Sequence, residues 1–129
     1  MTVHPLMLCI HMEKERALRF SFAAMSLGVR VRMVEDSQLG QTLGAACGLD
    51  APPAHGPGGG VAEEMLLLAF LPEDTLDALL RALRATGLPP VRLKAVLTPV
   101  NRGWDFARLY RELAGEAAAF AAGGGARED

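Results

Sequence analysis

The residues best suited to chemistry cluster late in the chain. Lys94, Thr98, Asn101 and Arg102 bring two cations, a hydroxyl and an amide to one short stretch. That donor set suits an anion held at the start of the helix that follows, whose free amides favour negative charge. The same residues also read as turn chemistry, with Pro99, Asn101 and Gly103 shaping a tight turn and Trp104 pinning the helix. The turn reading is the favoured one. Lys94 lies between Leu93 and Ala95 inside a strand, where its simplest role is an edge charge that blocks aggregation, as Arg30 and Arg32 do on another strand.

Other reactive groups fall where strands end. His11 and Glu13, then Glu35, Asp36 and Ser37, then Glu73, then Thr98 with Asn101 each follow a strand-like run. Ligands of an open parallel sheet bind outside the carboxyl ends of its strands. Thr98, Asn101, Lys94, Arg102, His11 and Asp36 therefore make up the candidate ligand site. Cys9 and His11 share a strand face, a metal-compatible spacing, but two ligands do not make a site and Cys9 reads better as a small buried hydrophobe. No metal is expected. Ser21, Ser26, Ser37 and the three histidines have no nucleophile context, and no Walker or dinucleotide glycine loop follows a strand. Neither a catalytic residue nor a cofactor is expected, and the balance leans away from an enzyme.

Composition narrows the class. The 129 residues are half apolar and carry 13 Lys and Arg against 15 Asp and Glu, a formal net charge of −2. That is enough chain for one core, and it lacks the excess of positive charge that nucleic acid demands. Cys9 and Cys47 match no metal-knuckle or secreted-scaffold spacing, which suits a reducing cytoplasm. The longest apolar run, Met65 to Leu71, is far short of the roughly 20 residues of a membrane span. Charges from His11 to Arg16 interrupt the first apolar stretch before an export core forms. A cytoplasmic protein that engages neither membrane nor nucleic acid is expected.

The elements that must position these groups can be read from periodicity. Asp50 to Ala62, rich in Pro and Gly, reads as a flexible linker, and 123–129 as a disordered tail. These bound a single domain over 1–122, with a first block at 1–49 and a second at 63–122. In the first, Leu6 to Ile10 is a buried strand, and a helix follows with Leu18, Phe22 and Met25 as its inner stripe, ended by Gly28. Val29, Val31 and Met33 alternate with Arg30 and Arg32 as a second strand, and Gln38 to Cys47 is a short helical piece broken by Gly40 and Gly44. In the second, Met65 to Phe70 is an apolar strand, Leu76, Leu79, Leu80 and Leu83 mark a helix from Glu73 to Gly87, and Val91 to Leu97 is a strand. The last helix carries Phe106, Leu109, Tyr110, Leu113, Ala117 and Phe120 on one stripe. Asp105 is placed as its N-cap, with Trp104 and Leu109 as a hydrophobic staple.

Met7-Leu8-Cys9-Ile10 lies over Met65-Leu66-Leu67-Leu68, and Val29 to Val34 over Val91 to Val96. The chain thus reads as a duplicated strand–helix–strand–helix unit. Alternating strands and helices argue for a parallel α/β sheet, and right-handed crossovers with the two apolar strands central give the order 2-1-3-4. A ferredoxin-like α+β sandwich of order 4-1-3-2 also centres those strands and stays open.

The segment LKAVLTPVN with Trp104 and LYREL, Leu93 to Leu113, resembles a small bacterial family known as a domain of unknown function, number 3783. Lys94, Thr98, Asn101, Trp104, Leu109, Glu112 and Leu113 occupy the positions of its motif, and Met65 to Phe70 and Gln41 to Gly44 are also similar to it. The resemblance implies no activity, substrate or cofactor. Two functional classes follow: a non-enzymatic interaction or regulatory module, with a homodimer or an unidentified protein as partner, or a small-molecule or anion binder using the strand-end rim, with at most weak catalysis.

Overall fold

A computed structural model describes residues 3–49 and 60–122. In chain order the elements are β1 (Leu6–Ile10), α1 (Lys14–Met25), β2 (Arg30–Val34), a single 3₁₀ turn (Asp36–Gln38), α2 (Leu43–Ala46), β3 (Met65–Ala69), α3 (Glu73–Ala85), β4 (Leu93–Val96) and α4 (Phe106–Ala122). The four strands form one sheet of order β2-β1-β3-β4. Both apolar strands are central, as strands buried on two faces must be.

The sheet is mostly parallel, with one antiparallel pair. β1 runs parallel to β2 and β3 to β4, but β1 meets β3 head to tail, Leu6 opposite Ala69 and Ile10 opposite Met65. Each βαβ unit is a parallel crossover, and the two join through their central strands. This geometry sends the carboxyl ends of β1 and β2 to one end of the sheet and those of β3 and β4 to the other.

Helices cover both faces. On one, α1 and α3 pack with Met7, Cys9, Leu66 and Leu68 around Phe20, Leu79 and Leu83. On the other, α2 and α4 pack with Leu8, Ile10, Met65 and Leu67 around Leu43, Phe106 and Leu109. The inner face of α1 differs from the one its periodicity suggests. Ala17, Phe20 and Ala24 point inward, while Leu18, Phe22 and Met25 are 54%, 64% and 60% exposed. Both triplets have helical spacing. The close approach of α1 to the sheet and to α3 selects the set with two alanines, because small residues let the helix seat deeply.

Landmarks of the two βαβ units recur at a fixed distance. His11 and Phe70 leave their strands with positive φ (53° and 65°), Lys14 and Glu73 begin the helices, and Gly28 and Gly87 close them at φ near 78° and 76°, each pair 59 positions apart (11 to 70, 14 to 73, 28 to 87). At this spacing Met7 corresponds to Leu66 and Cys9 to Leu68, which share one core. Laying Met7 over Met65 is one residue out of phase, since those two side chains enter opposite cores.

The tail and the linker positions 50–59 lie outside the described residues. Of the remaining linker positions, Val61 packs against the core under α4, and Gly60 sits beside Ala107. No helix among the described residues is long and apolar enough to cross a membrane.

Candidate functional site

The structure divides the expected rim in two. Thr98, Asn101 and Arg102 sit together in the loop after β4. His11 and Asp36 sit at the opposite end of the sheet, after β1 and β2. Lys94 belongs to neither group, lying within β4 on the face covered by α3.

In the loop, the polar atoms of Thr98 and Asn101 are engaged in the turn. The Thr98 amide donates to Asn101 Oδ1 at 2.8 Å, the Asn101 amide donates to Thr98 Oγ1 at 3.1 Å, and Asn101 Nδ2 donates to the Val96 carbonyl at 3.0 Å. Asn101 is only 7% exposed, a buried polar side chain whose hydrogen bonds hold the strand end to the turn. The loop then docks α2: the Leu43 and Gly44 amides, free at that helix start, donate to the Trp104 and Arg102 carbonyls at 2.8 and 2.9 Å. At α4, Asp105 Oδ1 accepts the Arg108 amide at 2.8 Å, so a carboxylate of the chain already occupies an amide that an external anion would use. Arg108 stacks over the Trp104 ring, 4.4 Å from its centre, and Trp104 packs into the same core as Leu109. The staple is in place.

This cap and staple give measurable expectations. Asp105→Ala is expected to lower stability by about 0.5–2 kcal/mol. Trp104→Ala, whose ring is half-buried, is expected to lose roughly 2 kcal/mol, less than the ~3–5 of a fully buried aromatic. Urea denaturation of each variant checks both, and a Trp104→Ala curve superposing on wild type would turn the tryptophan from scaffold into recognition surface.

At the other end, His11 Nδ1 lies 3.9 Å from Asp36 Oδ1, and the aspartate side chain is 85% exposed. A long contact to a solvated carboxylate does not orient an imidazole for proton transfer. The same end holds two stronger pairs. Arg16 reaches Glu64 through Nε at 2.9 Å and a terminal nitrogen at 2.7 Å, tying α1 to β3. Arg92 and the Tyr110 hydroxyl both donate to Glu63, and the Arg92 hydrogen bond holds the Glu63 carboxyl below its usual range.

The two cysteines are buried and unpaired, Cys9 in one core and Cys47 in the other, with the sheet between them. Among the described residues no group of three or more His, Cys, Asp or Glu is placed to hold a metal ion.

Residues 64–120 match the model of a family described as Domain of unknown function (DUF3783). Over that stretch the chain is similar to DUF3783. The DUF3783 stretch spans β3, α3, β4 and most of α4, so it takes in the whole Thr98–Asp105 loop with Lys94 and leaves out His11 and Asp36. Thr98, Asn101 and Trp104, which carry the resemblance, are the residues that close the turn and fix α4. No curated protein and no solved structure matches the chain.

The apolar stripe on α1 is legible in the sequence, but its spacing is that of any core-facing helix and so does not show that it faces outward. Arg84, in the last turn of α3, draws no notice in the sequence, because a cation is expected beside a helix carboxyl end.

Proposed function

We propose that the protein is a non-enzymatic interaction module that works as a homodimer through α1. The observation that carries this reading is the stripe of Leu18, Phe22 and Met25, three large apolar side chains at i, i+4 and i+7 left in water. Their spacing is the one by which helices interlock, and it carries no charge, so a second copy can lie against it without opposing like charges. Met33 of β2, on the sheet face that α1 covers, is also 39% exposed. The adjacent sheet edge is guarded: Arg30 and Arg32 lie on β2, and Arg32 donates to the Ala46 carbonyl. Charge there disfavours strand-to-strand addition and leaves the helix face as the place to dock.

Complete burial of such side chains contributes about 1.5–3 kcal/mol each, and these are already partly covered. After the cost of association a weak dimer in the micromolar class is expected. Sedimentation velocity over a series from micromolar to near-millimolar protein tests it. Wild type is expected to shift from monomer to dimer, and Phe22→Glu to stay monomeric with an unchanged thermal melt, since Phe22 contributes little to its own core. A wild-type chain monomeric throughout, or a Phe22→Glu variant that still dimerises, defeats the reading.

In this reading residues 1–122 act as one folded unit, two copies of a βαβ design joined through β1 and β3. The unpaired thiols of Cys9 and Cys47 support a reducing cytoplasm as its setting.

A further inference from the structure

A cleft of about 350 Å³ opens beside α3 over β3 and β4. Phe20, Leu66, Leu83 and Val91, all buried, form its floor, and its other lining side chains are apolar except two. Those two are Arg84, from the last turn of α3, and Lys94, from β4. No acidic side chain lines the cleft, and neither cation forms a salt bridge among the described residues. Lys94 Nζ donates one hydrogen bond, to the Val91 carbonyl at 2.7 Å. An ammonium has three donors, so two remain.

We propose that this cleft binds a small amphipathic carboxylate, its hydrocarbon body set among the leucines and its carboxylate held by Arg84 and Lys94. The walls select the body, because apolar surface leaves water favourably and an apolar pocket with a few convergent polar groups is the usual form of a ligand site. The two cations select the head. A carboxylate beside them gains charge-assisted hydrogen bonds, whereas a neutral head gains less and a cationic one is repelled. Volume sets the size: at ~30 Å³ per water-sized group the cleft holds roughly a dozen non-hydrogen atoms, the class of octanoate and decanoate. Lys94, whose plainest role is an edge-strand charge, thus acquires a second one. The site is independent of the dimer surface, since Phe20 projects from the flank of α1 opposite Leu18 and Phe22.

Titration of the isotopically labelled full chain with octanoate and, separately, with octan-1-ol, followed by amide NMR shifts at neutral pH, tests the proposal. Octanoate is expected to shift amides from Leu80 to Lys94 saturably and to bind at least about tenfold more tightly than the alcohol, the worth of one hydrogen bond to a charged group. Lys94→Met combined with Arg84→Met is expected to bring octanoate down to the alcohol's affinity while leaving the alcohol's own affinity unchanged. Leu80→Trp, which narrows the cleft, is expected to weaken both. Equal binding of acid and alcohol by wild type overturns the proposal. So does a preference for the acid that survives the double substitution, a lack of saturable shifts with octanoate, or shifts confined to another surface.

Discussion

Replacing Asn101 with leucine is expected to destabilise the protein by about 2–6 kcal/mol. Its side chain makes two hydrogen bonds that no neighbour can take over, one accepted from the Thr98 amide and one donated to the Val96 carbonyl. Removing the partner of a buried donor or acceptor costs about 1–3 kcal/mol for each group left unmade, and a residue 7% exposed has little water to substitute. Leucine at this site orphans both. Asn101→Asp separates the two contributions. The carboxylate still accepts from Thr98 but presents an oxygen to the Val96 carbonyl, so the loss is expected to be severe near neutrality and to ease on acidification as the carboxyl regains a proton. Thr98→Ala, which deletes only the acceptor of the Asn101 amide, is expected to cost about 0.5–1.5 kcal/mol. The damage should spread along the loop. Hydrogen exchange at the Leu43 and Gly44 amides, which donate into this loop, is expected to quicken in Asn101→Leu before the central strands respond. A variant that melts with wild type would return Asn101 to the ligand-binding role open to it from sequence.

The parts of this architecture that sequence reveals are those in which two independent signals agree. Strand and helix order, the central place of the two apolar strands, and the cap and staple at Asp105, Trp104 and Leu109 rest on local chemistry that tertiary packing leaves intact. The failures share a physical origin. Met7 to Ile10 and Met65 to Ala69 are buried on both faces. They carry no polar alternation, and without it nothing in their residues fixes which side chain faces which core or whether the two strands run parallel. The direction of β3 against β1 decides whether the strand ends gather or separate, so a site assembled from strand-end residues inherits that ambiguity. Helix α1 fails for the opposite reason, an excess of signal. It offers one stripe of large apolar residues and another of alanines with Phe20, and size favours the wrong one. A large apolar residue at helical spacing marks a face that buries against something, which need not be the helix's own sheet. The cleft carrying Arg84 and Lys94 is invisible in sequence because its residues come from α1, β3, α3 and β4, and only the fold brings them together.

The second large effect is expected at alkaline pH, where the two buried thiols should strongly destabilise the protein. Burial pushes the Cys9 thiol up to about 12, with nearby Glu64 adding to it. Cys47 is pushed up to about 11, again by burial, with Arg32 pulling partly the other way. An unfolded cysteine titrates near 9, so in the intervening range the folded chain keeps protons that the unfolded chain has released. The sign follows. The thiol contribution is fully present below about 9 and is lost as pH rises, through about 11 for Cys47 and about 12 for Cys9. Each thiol then removes up to about 1.4 kcal/mol per pH unit. Together they approach ~3 kcal/mol per unit, so two units remove about 5 kcal/mol, comparable to the low end of the ~5–15 kcal/mol that holds a small domain. Urea midpoints measured across this range should fall steeply for wild type and much less for Cys9→Ala/Cys47→Ala. Comparing slopes rather than absolute stabilities removes the small packing loss of the alanines. An equal slope in the double variant would remove the thiols from the account. A second measurement isolates the same property at neutral pH. Only a thiolate alkylates, so iodoacetamide should leave both cysteines of the folded protein intact and label them at the rate of unfolding. Rapid labelling of either one would reveal an accessible, activated thiol and reopen the case for nucleophilic chemistry.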